Sequence, residues 1–391
     1  MSRYFLRVKQ GTDKYINPWK ISNIIENLAS EYYKKYVLDQ LSDKVLNINE
    51  HQIPIIFNSS FDLYQRYSKL RDFNVLDRED IESLYYLGDI IPMSPSIKIT
   101  KLGLIFKVHR SIYKLLKKND ILMDRSKMLE YIDPNFNATP DINFDALKRY
   151  VDSLIIEGND RLKNKCETVM KNAEESLKEF VEDSVNLGII DSLDEQELDE
   201  YIKDPKNRNF YQRYYGEFYK TYRRYTRPIV AILDVESGDI DILAKEFIKE
   251  DLQQGNEHKI EVKELSKNSP TIISWVVGYI ASSFIANVFI NALDNKRTDI
   301  EEETSVEGDE LVNPEVLRLR EAMRQLQTVT VADEFNDKVI RIEDFKARRG
   351  LGSVNESIKR NVEDTFEKNE FLNSNIEITP VLEDENEDED Q

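Results

Sequence analysis

An uncharged run of 24 residues, from Pro270 to Leu293, limits what this chain can fold into more than any other feature. A helix rises 1.5 Å per residue, so a helix of this length spans the hydrocarbon core of a bilayer, and uncharged stretches of about 18 residues or more are membrane-helix candidates. Ser269 and Pro270 are typical of a helix start. The run therefore predicts an apolar helix over 270–293.

Two side-chain stripes at four-residue spacing follow this predicted helix. The small residues of the first stripe are Gly278, Ser282 and Ala286, and the hydrogen-bonding residues of the second are Ser283, Asn287 and Asn291. Such stripes favour close helix packing and interhelical hydrogen bonds, which indicates self-association or membrane contact. The polar residues make insertion of an isolated helix marginal, so a buried helix in a soluble core is the alternative.

Acidic charge is concentrated in the second half of the chain. The sequence has 54 basic and 74 acidic side chains and a formal net charge of -20. Residues 1–228 hold equal numbers of each sign, so the whole excess lies in 229–391. Glu383–Asp390 has seven acids in eight positions and no apolar residue to bury, which predicts a disordered tail. The tail is either solubilising or a docking peptide for a basic partner.

Helical periodicity dominates the first 228 residues, so we expect an α+β fold that is predominantly helical. Asn17 and Pro18 mark one helix start. Apolar residues from Leu147 to Val185, Val181 among them, keep helical spacing with a break at Gly158, which predicts one long helix or two that pack in a bundle or short coiled coil.

Strand patterns begin after Arg227. The β-branched run 229–233, a turn at Ser237 and Gly238, and the run 240–243 predict a hairpin, with a third strand over 259–265. A small antiparallel region is therefore expected near 229–265.

These patterns divide the chain into seven segments. They are a helical α+β domain (1–133), a linker (134–143), a long-helix region with a Tyr/Arg-rich helix (144–228), a β-hairpin plus apolar helix (229–293), an acidic linker (294–312), sparse C-terminal elements that include a short helix at 356–366 (313–374), and the acidic tail (375–391).

Two basic blocks stand out in an otherwise acidic protein. Residues 98–127 hold nine Lys or Arg against two Asp, within a predicted helical hairpin that allows a helix-turn-helix interpretation. Residues 206–227 hold seven Lys or Arg and eight aromatics against one acid, on a predicted amphipathic helix that separates rings from cations. The candidate nucleic-acid contacts are Lys114, Lys117, Lys118, Arg213, Lys220 and Arg224. The alternative is that both blocks are ordinary solvated helix faces.

Familiar catalytic patterns do not occur in the sequence. The single cysteine, Cys166, is incompatible with a disulfide scaffold, and the three histidines lack metal-ligand spacing. Asp239 and Asp241 are candidate ligands for the metal of a hydrolase, but their alternation with isoleucines favours the exposed face of a strand. No catalytic residue, metal or cofactor is predicted.

Three functional hypotheses follow from these patterns. The first is a non-catalytic assembly or sensing protein that forms homo-oligomers or contacts a membrane through 270–293. The second is a soluble nucleic-acid-associated regulator that uses the basic blocks. The third is a carboxylate and metal hydrolase. The start MSRYFLRVKQ lacks an apolar signal-peptide segment, so an intracellular, cytoplasmic location is expected, with membrane association open.

Overall fold

The computed structural model describes residues 3–9, 17–49, 51–60, 72–124, 144–155, 159–244, 260–266, 272–278, 342–369 and 375–380. The chain forms two compact units. The first comprises Met1–Tyr36, Glu246–Lys338 and Asn355–Gln391, and the second comprises Val37–Lys245 and Val339–Val354.

Nine helices and nine strands occur within the described ranges. The helices are α1 (Pro18–Leu46), α2 (Arg78–Leu87), α3 (Ile97–Lys117), α4 (Phe144–Leu154), α5 (Asp160–Ser192), α6 (Glu195–Tyr201), α7 (Pro205–Tyr215), α8 (Glu217–Arg224) and α9 (Ile342–Lys368). The strands are β1 (Arg3–Lys9), β2 (Gln52–Ser60), β3 (Phe73–Asn74), β4 (Ile90–Pro92), β5 (Pro228–Asp234), β6 (Asp239–Ile242), β7 (Ile260–Ser266), β8 (Ile272–Gly278) and β9 (Asn375–Pro380). The predicted α+β, predominantly helical fold is confirmed.

The first unit contains a four-stranded antiparallel sheet with the order β7-β8-β1-β9. Strand β1 lies inside the sheet, because Tyr4 pairs with Val277 on one side and with Pro380 on the other. The sheet thus joins the first described strand of the chain to strands that lie more than 250 residues later.

Strand β8 corrects the predicted apolar helix. A helix over 270–293 is wrong for Ile272–Gly278, which pairs with β1 and β7 instead. Four of these seven residues are Ile or Val, which favour a strand, and two neighbouring strands satisfy the backbone that a helix would have satisfied internally. Gly278 ends β8 opposite Arg3. The other stripe residues lie outside the described ranges; they are Ser282, Ser283, Ala286, Asn287 and Asn291.

Helices long and apolar enough to cross a bilayer are absent from the described part of the chain.

The second unit contains a five-stranded antiparallel sheet with the order β3-β6-β5-β2-β4. Strand β5 is central, and its first six residues are buried. The predicted hairpin is confirmed: β5 and β6 pair across a turn in which Gly238 has a φ of 78°, a left-handed value that favours glycine. The predicted third strand also forms, as β7, but it belongs to the sheet of the first unit.

Helices α3, α4 and α5 share a buried apolar cluster in the second unit. Ile112 of α3, Val151 of α4 and Leu162 of α5 belong to it, together with Cys166 and Met170. The helical segment after residue 143 is two helices, α4 and α5, and Gly158 lies in the gap between them. The interruption that the sequence predicts is therefore confirmed.

Three boundaries differ from the sequence-based expectations. The Tyr/Arg-rich segment forms two helices, α7 and α8, which meet at Gly216. The predicted short helix over 356–366 is part of the 27-residue α9. Asn375–Pro380 forms β9 in the first unit, where the tail was expected to begin, because its backbone pairs with β1. Residues 381–391, with the acidic run, lie outside the described ranges.

Candidate self-association surface

Against the described residues, the C-terminal half of α5 packs through one face. Leu187 and Ile190 are buried there against Leu198 of α6 and Tyr215 of α7. Tyr215 also donates its hydroxyl hydrogen bond to Asp191 near the end of α5. The N-terminal half of the helix is held by the cluster that it shares with α3 and α4. Helix α5 is therefore fixed along its length, and its other face is presented by a rigid element.

The opposite face of α5 carries an exposed apolar ridge. It consists of Val181, Val185 and Ile189, which are 55%, 72% and 50% exposed. They recur at four-residue spacing, so their side chains line one side of the helix, about 180° from Leu187. We call these three residues the α5 ridge. The expected packing of Val181 and Val185 in a bundle does not occur against the described residues, where Leu187 and Ile190 are buried instead, and a coiled coil through the two valines stays a prediction.

The surroundings of the α5 ridge carry little charge. Ser184, Asn186 and Gly188 are exposed, and a Cβ atom at Gly188 would meet nothing within 4 Å. The charged neighbours on this side are Lys178 and Glu182, which form a solvent-exposed ion pair with an N–O distance of 3.7 Å. A second helix therefore has room to approach the ridge closely.

The cation expected to contact nucleic acid on α7 is held by α5. Arg213 donates two hydrogen bonds to Glu179, with Nη1–Oε1 and Nη2–Oε2 distances of 2.7 and 2.6 Å, and lies 3.8 Å from Asp183. These hydrogen bonds lower the pKa of Glu179. Tyr214 donates to Asp183 at 2.5 Å, and burial followed by this hydrogen bond raises the Tyr214 pKa. Arg213 thus joins α7 to α5.

The other two cations of that block also have local partners. Lys220 pairs with Glu217 at 3.1 Å. Arg224 donates to the side-chain oxygen of Asn58 on β2 and lies 4.8 Å from the centre of the Tyr225 ring. The structure therefore does not bring Arg213, Lys220 and Arg224 together as one open cationic surface.

The lysines of the first basic block behave differently. Lys114, Lys117 and Lys118 are exposed at the C-terminal end of α3. None of the three makes an ion pair with a described residue. Their position also complements the negative end of the helix dipole, which is a structural reason for lysines there. The second helix of the predicted helix-turn-helix falls in residues 125–143, outside the described ranges.

The two candidate metal-binding aspartates lie on the outer face of β6. Ile240 and Ile242 are buried, whereas Asp239 is exposed and Asp241 is partly exposed. Asp239 accepts a hydrogen bond from Asn74 at 2.8 Å, and Asp241 lies 3.6 Å from Lys44. Among the described residues, no group of three or more His, Cys, Asp or Glu side chains is arranged to hold a metal ion. The exposed-face interpretation is confirmed.

Sequence reasoning missed Ile189 and the outward orientation of its two valine neighbours. The available signal was a double apolar periodicity after Phe180, in which residues 181, 185 and 189 alternate with 187 and 190. When a helix has apolar residues on two opposite sides, neighbours that pack on one side leave the other apolar side exposed.

Comparisons with known proteins give no relative for this chain. No protein-family model matches it, and neither the curated proteins nor the solved structures include a match.

Proposed function

We propose that this chain is a non-catalytic assembly protein that forms a homodimer through the α5 ridge. The observation that supports the proposal is the row of three large apolar side chains on a helix whose opposite face is already packed. An exposed helix face in a monomer is normally polar, and β-branched residues are weaker helix formers than Ala, Lys or Glu. In a monomer these three side chains therefore add no stability to the fold. Their burial against a partner would stabilise a dimer.

A second copy of α5 is the partner whose shape fits this ridge. A two-fold axis near Val185 places Val185 against its own copy and Val181 against the partner's Ile189. The exposed Ser184 and Gly188 leave space for the opposing side chains. An isologous contact of this kind closes the assembly at two subunits.

Charge favours the antiparallel arrangement of the two helices. Lys178 lies seven residues before Val185, and Ser192, the last residue of α5, lies seven residues after it. The antiparallel pair therefore places Lys178 beside the C-terminal end of the partner helix, which is the negative end of its dipole and has no basic residue in the last turn. A parallel pair would instead place Lys178 and Glu182 against their own copies, which is repulsive.

The area of the ridge predicts a weak dimer. Full burial of a Val or Ile side chain is worth about 1.5–3 kcal/mol, so six half-exposed ridge side chains contribute roughly 5–12 kcal/mol. Loss of rotational and translational freedom on association costs about 4–15 kcal/mol. The dissociation constant is therefore expected to be on the order of 10 µM or higher.

Sedimentation equilibrium of the full chain over a range of concentrations tests the dimer. Val185→Lys is expected to abolish concentration-dependent association, because it buries two ammonium groups against each other. Leu122→Lys is the matched control, since Leu122 is 84% exposed and lies outside the ridge. A wild-type chain that stays monomeric up to about 1 mM, or a Val185→Lys chain that associates as the wild type does, rules out this function.

Disulfide crosslinking tests the antiparallel register separately. Val185→Cys is expected to form a dimer under mild oxidation, because the two-fold axis brings the two sulfur atoms together. Asn186→Cys is the control, because the residue is exposed but lies about 100° around the helix. The native Cys166 is buried and does not interfere. Equal crosslinking of both variants would contradict the register.

A further inference from the structure

A cleft of about 500 Å³ opens in the second unit beside strand β4 and is lined by residues of helices α3, α5, α7 and α8. One side is formed by β4 and the first half of α3, and the other by α5 and α7. Gly103 lets α3 approach the strand, because a Cβ atom there would lie 3.0 Å from the carbonyl oxygen of Ile90. The volume is within the range of about 300–1,000 Å³ that is typical of small-molecule sites.

The lining of the cleft is largely apolar. Ile90, Ile91 and Pro92 of β4 line it together with Leu104 of α3 and Phe180 of α5. An apolar lining of this extent favours a ligand with a hydrocarbon or aromatic body.

Three of the four charged residues that line the cleft are engaged in ion pairs. Asp89 binds Arg110, Arg213 binds Glu179, and Glu217 binds Lys220. Arg110 is further held by its cation-π contact with the Tyr85 ring, 4.6 Å away. Each of these three charges is therefore largely neutralised by its partner, which leaves it little net attraction for a charged ligand.

Lys107 is the fourth charged residue of the lining. It is exposed on α3, and within the described part of the chain it makes neither an ion pair nor a hydrogen bond. Lys107 also lines an adjoining cavity of about 200 Å³, together with Ser111 of α3 and Asn172 of α5. Lys107 thus lines both cavities, and Ser111 and Asn172 are polar residues beside it in the smaller one.

We infer that this cleft binds an amphipathic monoanion, with its negatively charged head at Lys107 and its apolar body along β4, Leu104 and Phe180. The head receives a charge-assisted hydrogen bond from the ammonium group, and Ser111 and Asn172 supply further polar groups. A ligand with several phosphates is disfavoured, because Lys107 is the one cation without an ion pair among the described residues that line the cleft, and Asp89 and Glu217 lie there too.

Isothermal titration calorimetry of the full chain with decanoate tests this site. Decanoate is expected to bind, and Lys107→Gln, which removes the positive charge but keeps a polar side chain, is expected to weaken binding about tenfold. Lys114→Gln is the matched control, because Lys114 is an exposed, unpaired lysine seven residues later on the same helix but outside the cleft. Its affinity is expected to stay within about twofold of the wild type.

Two further probes separate the charge from the apolar body. Butyrate, which keeps the carboxylate but shortens the chain, is expected to bind much more weakly than decanoate. Decyltrimethylammonium, which reverses the charge, is expected not to bind. The inference is overturned if decanoate gives no binding up to about 1 mM, if both lysine variants weaken it equally, or if the cation binds as well as the anion. Far-UV circular dichroism establishes that each variant is folded.

Discussion

Gly350 of α9 lies against the aromatic ring of Tyr219 of α8, so closely that a Cβ atom at position 350 would overlap the ring. Tyr219 is buried, and its hydroxyl donates to the carbonyl oxygen of Ala347 at 3.4 Å. Burial raises the Tyr219 pKa, so the hydroxyl keeps its proton and stays a donor. This contact joins two segments of the second unit that are separated by more than 120 residues of sequence.

Substitution of Gly350 is expected to destabilise the second unit. Gly350→Ala inserts a methyl group into a filled space and is expected to cost about 1–3 kcal/mol of unfolding free energy. Gly352→Ala is the control on the same helix, since nothing lies within 4 Å of its Cβ position. It is expected to raise the unfolding free energy by up to about 1 kcal/mol, because Ala has a higher helix propensity than Gly. Urea unfolding measures both. Similar shifts of the same sign in the two variants would contradict the contact.

Removal of β9 is expected to expose one side of β1. Deletion of 375–391 removes the strand that pairs with β1, whereas deletion of 381–391 keeps it. In the longer deletion, alternate amides of β1 are expected to exchange with deuterium about tenfold faster, because only every second amide points towards β9. Amides that point towards β8 serve as the internal reference. Unchanged exchange at every β1 amide would show that the pairing does not form.

Cys166 is expected to be unreactive in the folded chain. It is buried in the cluster of α3, α4 and α5, and burial, followed by the charge of Asp152, raises its pKa to about 11. Ellman's reagent at pH 8 is therefore expected to label it only after denaturation. An unfolded thiol has a pKa of about 8.5, so folding stability is lost as the pH rises from about 8.5 through 11. Cys166→Ala should remove that part of the pH dependence, and rapid labelling of the native chain would refute the burial.

Any affinity for polyanions is expected to come from the end of α3. The measured quantity is the slope of the logarithm of the binding constant for single-stranded DNA against the logarithm of the salt concentration. Each lost phosphate contact lowers the steepness of this slope by roughly 0.7, so a variant with Gln at Lys114, Lys117 and Lys118 should lower it by about 2. The control with Gln at Arg213, Lys220 and Arg224 removes the same charge, but those cations already have partners within the chain. If the control lowers this slope more than the α3 variant does, the polyanion-binding surface lies on α7 and α8 instead.

Local signals predicted several element boundaries correctly. Asn17 does accept the hydrogen bond of the Trp19 backbone N–H at 3.0 Å, and α1 begins at Pro18 as expected. The end of α4 at Leu154 and the start of α5 at Asp160 agree with the break that the sequence predicts between them. Caps and breaks depend on neighbouring residues, so the sequence around them contains the required information.

The features that the sequence did not predict depend on contacts between residues far apart in the chain. A short apolar run fits a buried strand as well as a helix, and Ile272–Gly278 becomes a strand because β1 supplies one of its neighbours from the start of the chain. Arg213 is neutralised by a glutamate 34 residues away, which no local pattern identifies. The α5 ridge likewise depends on which face α6 and α7 cover.

The position of β1 inside its sheet also constrains when the first unit can form during synthesis. Its neighbours, β8 and β9, leave the ribosome only after several hundred further residues have been added. At about 5–20 residues per second, β1 waits for tens of seconds with both of its edges unpaired. The sheet of the first unit therefore forms late in synthesis, after the β8 segment has been added.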